Sequence, residues 1–102
     1  MSVQNPQSIE MLLREHREEI LDRARRHGAQ NVRVFGPVVR GEANEDSDID
    51  FLVDAGEMTS PWFPAGLIDE LETLLGRHVD VVTADSLYWL LRRRILKEAK
   101  PL

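Results

Sequence analysis

Asp48-Ile-Asp-Phe-Leu-Val53 is the segment that most limits what this chain can fold into. Side chains alternate along a strand, so Ile49, Phe51 and Val53 take one face while Asp48, Asp50 and Leu52 take the other. One face asks for an apolar layer, and the opposite one carries two carboxylates whose backbone positions lie about 7 Å apart. Asn31-Val-Arg-Val-Phe35 and His78-Val-Asp-Val-Val82 read as two further strands, rich in β-branched residues. Around them, apolar residues recur at three and four. Ile9, Leu12, Leu13, His16, Ile20, Leu21, Ala24 and His27 predict one surface helix from Asn5-Pro6 to His27-Gly28, capped by Asn5 and closed by a left-handed Gly28. Leu67, Ile68, Leu71, Leu74 and Leu75 predict a second helix ending at Gly76, after a Pro- and aromatic-containing loop over 59–64. Leu87, Leu90, Leu91 and Ile95 predict a third, capped by Thr83 or Asp85, facing the core and running to Pro101. The order helix, strand, strand, helix, strand, helix implies an α+β fold. It would be a small mixed sheet with helices packed mainly on one side and the other face left for a ligand.

At 102 residues, 42% hydrophobic and 30% charged, the chain is expected to form one domain over 1–102. No apolar run approaches the roughly 20 residues a membrane span requires, and Met1 to Gln7 lacks a basic region followed by an apolar stretch. The absence of cysteine excludes disulfides, thiolate metal sites and cysteine nucleophiles, and fits a reducing, cytoplasmic location. The net charge is −5, unevenly spread: five basic against five acidic side chains in 1–29, three against twelve in 30–85, and five against one in 86–102. An acidic surface argues against direct DNA binding, whereas a concentrated acidic centre is what a divalent-cation site looks like.

Between Arg40 and Glu57 there are seven acidic residues and no basic one, and a cation would relieve their repulsion. Asp80, flanked by Val79 and Val81, adds a third carboxylate that would be costly in a buried strand unless it binds something. Asp48, Asp50 and Asp80 could then converge on Mg²⁺ or Mn²⁺, hard cations that leave positions open for water and phosphate. In two-metal sites such ions activate the attacking oxygen and stabilise the leaving one, which is phosphoryl or nucleotidyl transfer chemistry. Just upstream, Gly36-Pro37-Val38-Val39-Arg40-Gly41-Glu42 runs from a strand end into what reads as one helical turn. Glycine lets a backbone approach phosphates, and Arg40 offers them a planar fork of donors.

Phe35-Gly36-x-x-x-Arg40-Gly41-Glu42-Ala43, then Ser47-Asp-Ile-Asp-Phe-Leu-Val53, then Val79-Asp-Val-Val82, resembles the minimal nucleotidyltransferases (MNT) of the DNA polymerase beta superfamily. These are the antitoxin half of HEPN/MNT toxin–antitoxin pairs. The resemblance covers Val32 to about Ala99. It implies the nucleotidyltransferase fold, with ATP as substrate and Mg²⁺ or Mn²⁺ as cofactor. Asp48 and Asp50 would hold the metals, and Asp80 would complete the site and polarise the acceptor hydroxyl. Gly36, Arg40, Gly41 and Ser47 would position the phosphates. The implied partner is a HEPN-domain ribonuclease toxin, joined in a hetero-oligomer and silenced by transfer of AMP to a tyrosine.

One departure stands out. The family motif begins Gly-Ser, and Gly36-Pro37 removes both a hydroxyl and a backbone N–H from the phosphate turn while leaving the carboxylates in place. Pro37 therefore favours a rival reading, an antitoxin that neutralises its toxin by covering it, with a vestigial metal site. A transferase acting on a small molecule is weakened by the chain's size, which leaves no second domain for a pocket.

Other residues read more plainly. Arg40 could instead pair with a carboxylate of the acidic run. Glu42, Glu45, Asp46 and Glu57 are expected to be plain surface. Trp62, Phe63 and Trp89 are expected to pack, with partner contact the competing role. Trp89, Arg93, Lys97 and Lys100 fall on one helical stripe, where cations near a helix end need no partner. His16, His27 and His78 are read as structural.

Overall fold

The computed structural model describes residues 8–44 and 46–102; the expected cap Asn5 and Pro6, together with Glu45, lie outside them. The first helical segment comes in two pieces, α1 over Ile9–Glu15 and α2 over Arg17–Arg26. Ser8 starts α1, its Oγ accepting from the Met11 N–H at 3.1 Å. His16 breaks the run with φ −104° and ψ 14°, and its ring bonds Glu19 in the first turn of α2 at 2.9 Å. Periodicity cannot register this break, because Ile9 and Leu13 before it and Ile20 and Ala24 after it are all buried. Gly28 closes α2 as expected, at φ 87°, where a Cβ would lie 2.1 Å from the Met58 carbonyl oxygen.

Three strands follow the sequence reading closely: β1 over Ala29–Phe35, β2 over Ile49–Ala55 and β3 over Val79–Thr83. A short α3, Pro37–Arg40, turns the chain between β1 and β2, and α4 spans Ala65–Leu75 up to a left-handed Gly76. After β3 come a tight turn over 84–86, α5 over Trp89–Glu98, and a two-residue strand β4, Lys100–Pro101. The sheet order is β3-β2-β1-β4, with β2 parallel to β3 and antiparallel to β1, so the sheet is mixed as expected. The unexpected β4 pairs antiparallel with β1. It lies at a sheet edge, where a proline's missing N–H is tolerated.

Ile49, Phe51 and Val53 are buried as the alternation requires, in a cluster with Ile20, Leu67 and Leu71. Helices α1, α2 and α4 supply the helical side of that cluster, α2 lying against β1 and α4 against β3. His27 ties the end of α2 to the rest, bonding Ser60 Oγ at 2.6 Å through Nδ1 and Glu70 on α4 through Nε2.

The last helix departs from the sequence reading. Helix α5 buries none of its residues; Leu90 is 57% exposed and Leu91 48%, while Leu87 and Ile95 are half-buried. The cluster is already filled from the other helices, so an apolar stripe on α5 has no core to face. Trp62 and Trp89, expected to pack, are 88% and 72% exposed; Phe63 alone of the three lies partly against the core. Nor is the second sheet face wholly open. Leu52, on the Asp50 face, is fully buried outside the main cluster, and the turn over 84–86 lies beside β2.

Candidate active site

The parallel register sets Asp50 directly beside Asp80, their Cα atoms partners across β2 and β3. Neighbouring strands are about 4.8 Å apart, so the two carboxylates share one face at close range. On the other side of Asp50 the partner is Phe35, the residue before Gly36. Asp50 thus sits near the start of an inner strand, with Asp80 to one side, the Gly36 turn to the other, and Asp48 two residues upstream.

The electrostatics follow from this placement. Burial pushes the Asp50 carboxyl up from 3.8 to about 6, and the charges of Asp80, Asp48 and Glu98 add to the effect while Arg40 opposes it. Asp50 is half-buried, whereas Asp48 and Asp80 are exposed. The expectation that Asp80 is a carboxylate within a buried strand does not hold, because its side of β3 faces water. Among the described residues, no three His, Asp or Glu side chains are drawn tightly enough together to hold a metal ion. Asp48, Asp50 and Asp80 are neighbours in one field. They are not a ready-made ligand cluster.

Gly36 has a tighter reason to be glycine than approach to phosphate. At φ 79°, a Cβ there would stand 2.5 Å from Asp50 Oδ2. Its amide N–H donates to Glu98 Oε2 at 2.8 Å, and its carbonyl accepts from Val39 and Arg40 in the α3 turn. Pro37 fills the first position of that helix, where its ring is well accommodated. Gly41 closes α3 at φ 73° with nothing within 4 Å of a Cβ, so it is needed for its backbone angle alone.

Arg40 is engaged twice. Its Nε donates to Glu42 Oε1 and its Nη1 to Glu98 Oε1, both at 2.6 Å. The hydrogen bonds to Glu42 first and Glu98 second hold the guanidinium more firmly in its charged form, raising its pKa. Pairing with the acidic run is therefore realised through Glu42, which is more than plain surface. Burial pushes the Glu98 carboxyl up, but bonds from Arg40 and the Gly36 N–H, with the charges of Arg40 and Arg94, outweigh it and leave the group below the ordinary glutamate value.

Ser47 is folded into its own turn. Its Oγ accepts from the Asn44 N–H at 2.9 Å and bonds Asn44 Oδ1 at 3.4 Å. The Arg77 Nη2 braces the same turn, donating to the carbonyls of Asn44 at 2.9 Å and Ser47 at 3.2 Å, while Ile49 N–H bonds the His78 carbonyl at 3.0 Å. The segment between α4 and β3 thereby fixes where Asp48 enters β2.

Sequence reasoning missed two residues here, Arg77 and Glu98. Each carried a faint signal, as one of three basic side chains in the acidic centre and as the lone acidic side chain in the basic end.

A mixed sheet with one carboxylate pair in register across β2 and β3, a third two residues upstream, and a glycine turn against the central one defines a nucleotidyltransferase domain. Comparison with known proteins agrees. The chain belongs to the nucleotidyltransferase domain family, whose pattern matches residues 13–102. It is 40% identical to the protein adenylyltransferase MntA of Thermococcus cleftensis over 98 residues, 96% of each chain. A Methanocaldococcus jannaschii protein assigned as a protein adenylyltransferase is 42% identical over 89 residues, 87% of this chain and 96% of its own. A solved structure assigned as a minimal nucleotidyltransferase superposes with a TM-score of 0.83 at 46% identity, covering 97% of this chain and all of its own. A toxin–antitoxin structure with AMP-PNP shares the fold, with a TM-score of 0.70 at 24% identity over 82% of this chain and 69% of its own. Its expected place among the minimal nucleotidyltransferases is thus met. Among the described residues no helix is long and apolar enough to cross a membrane.

Proposed function

We propose that this chain is an antitoxin that transfers AMP from ATP to a tyrosine of a HEPN-domain toxin and silences it. The observation that carries the reading is the register of Asp50 against Asp80, with Asp48 beside them and Gly36 held clear for the Asp50 carboxylate. A relative named protein adenylyltransferase MntA supports protein as the acceptor. Fold-mates solved as MntA–HepT complexes, and one solved with AMP-PNP, support a toxin partner, a hetero-oligomer and an adenine nucleotide.

Asp48 and Asp50 would hold a divalent cation, Mg²⁺ or Mn²⁺, with Asp80 completing the site. The donor chemistry fits, since these are hard oxygen ligands, and the Asp50 carboxyl, raised first by burial and then by the charges of Asp80 and Asp48, sits in a negative field that a dication would offset. Such a cation supplies a Lewis acid at the phosphate undergoing attack. Asp80, exposed and paired in register with Asp50, would accept the proton of an incoming tyrosine hydroxyl. Gly36 N–H and Arg40 would give their donors to phosphate oxygens in place of Glu98, with Gly41 closing the α3 turn that carries them and Ser47 ordering the separate turn that leads into Asp48. The acceptor, being a protein, brings much of its own binding surface.

A second reading, neutralisation by covering the toxin, is favoured by the exposed Trp62, Trp89, Leu90 and Leu91. Turnover separates the two. A small amount of this protein, with ATP and Mg²⁺, is expected to inactivate an excess of toxin and add at least one AMP mass to it, and Asp48→Asn with Asp50→Asn should abolish both effects. An unchanged toxin mass, with full protection of cells by the double variant, would establish covering as the mechanism.

A further inference from the structure

The two groups best placed to grip phosphate are already holding an anion. Glu98, the last residue of α5, accepts from the Gly36 N–H through Oε2 and from Arg40 through Oε1, so one carboxylate spans the turn and the guanidinium. The glutamate comes from far along the chain, 62 residues beyond Gly36. It is the lone acidic side chain in a segment holding five basic ones, and it is 15% exposed. Its neighbours do not explain it as a support for α5, which buries no residue and is followed directly by the β4 pairing to β1. A carboxylate there also costs something, because it adds negative charge beside Asp50, which Asp48 and Asp80 already crowd.

We propose that Glu98 is an internal stand-in for a nucleotide phosphate, a latch that must leave the Gly36 N–H and Arg40 before triphosphate can bind them. The proposal rests on the nucleotide site described above. Charge-assisted bonds to carboxylate and to phosphate use the same donors in the same way, so the two anions compete and cannot both be seated. Linkage then runs in both directions: whatever draws the end of α5 away from Gly36 strengthens phosphate binding, and phosphate binding frees the end of α5. The start of α5 and its N-cap expose Tyr88, Trp89, Leu90 and Leu91, so a partner seated at that end would act on the latch through the helix.

Inorganic tripolyphosphate, which carries no base, ribose or transferable AMP, tests the latch at fixed Mg²⁺. Binding is read by calorimetry and by the NMR shift of the Gly36 amide, on the parent, Glu98→Gln, Glu98→Ala and Glu42→Gln, each checked for native circular dichroism. Both Glu98 variants should bind at least about tenfold more tightly than the parent, because Glu98→Ala removes both bonds and Glu98→Gln leaves at most one, without its charge. Glu42→Gln removes the same charge from the same guanidinium without touching Gly36, and should gain no more than about twofold. The Gly36 amide should reach the same position in the bound parent and in bound Glu98→Ala, because a phosphate oxygen then accepts from it in both. Equal gains for the Glu42 and Glu98 variants would reduce the effect to charge and overturn the latch. Weaker binding by both Glu98 variants would make Glu98 a positioning residue, and no binding by any chain would leave nothing for it to compete with; either outcome overturns the proposal. Failure of the transferase reading looks different, as an unmodified toxin mass while the competition for tripolyphosphate persists.

Discussion

Helices α4 and α5 are nearly equal in length and carry the same apolar spacing, yet α4 buries Leu67, Leu71 and Leu75 whereas α5 buries nothing. The difference lies in what each finds opposite. Helix α4 lies against β3 and α2 and closes the apolar side of the sheet. Helix α5 arrives after that layer is full, and its one deep engagement is polar, the Glu98 carboxylate on Gly36 and Arg40. Periodicity shows that a helix has an apolar face but says nothing of what covers it. In this molecule one such face builds the fold and the other stays on display beside the site.

The largest effect should come from the buried helix. Leu67 is fully buried among the core residues, and Leu67→Ala should cost about 2–5 kcal/mol, as removing buried methyls and leaving a cavity generally does. Urea denaturation followed by circular dichroism measures it. A cost below about 1 kcal/mol would mean that α4 is as loosely held as α5, and the contrast between them would fail.

A smaller effect belongs to the carboxylate face. Asp50 is raised from 3.8 to about 6, so the folded chain binds this proton more tightly than the unfolded chain does. For an acid shifted upward, stability is fullest below the unfolded value near pH 4 and declines as pH rises through about 6. The whole shift would correspond to about 3 kcal/mol, but Asp50 is only half-buried and solvent screening brings this to about 1 kcal/mol. Asp50→Asn should therefore gain about 1 kcal/mol over the parent at pH 7 in chelator, with the gain vanishing near pH 4. Added Mg²⁺ should stabilise the parent and leave the variant unchanged. If the two chains keep the same difference at both pH values, Asp50 is not under this strain and the open face is as relaxed as ordinary surface.

The order of these effects matches how legible each region is in the sequence. Strand alternation placed Ile49, Phe51 and Val53 in the core and Asp48 with Asp50 on the other face, because a period of two admits one solution once one face is apolar. Gly28 and Gly76 marked helix ends because only a left-handed residue closes those turns cheaply. Long-range polar choices left no comparable trace. Glu98 reaches Gly36 across 62 residues and Arg77 reaches Asn44 across 33, and neither distance has a period or a local motif. Strand β4 was hidden for a related reason: Pro101, a stop signal for a helix, also serves at a sheet edge. Exposure of Leu90 and Leu91 was invisible because it depends on how much apolar surface the other helices had already covered.

The smallest change in stability should come from α5 itself, and there the comparison can be made sharpest. Leu90→Ala removes the same methyl groups as Leu67→Ala, from a side chain that is 57% exposed. Its cost should stay within about 0.5 kcal/mol, the range of substitutions at surface positions. Trp89→Ala, at 72% exposure, should be equally mild. If this face meets the toxin, however, Trp89→Ala should weaken the complex by about 2 kcal/mol or more, since a large aromatic at an interface loses far more buried area than it ever contributed to folding. Titration of the toxin with each variant, set beside its urea midpoint, separates the two roles. A Leu90→Ala variant that unfolds as readily as Leu67→Ala would show α5 to be packed after all. Unchanged toxin affinity in Trp89→Ala with unchanged stability would remove Trp89 from the interface and leave the covering mechanism to Trp62, Leu90 and Leu91.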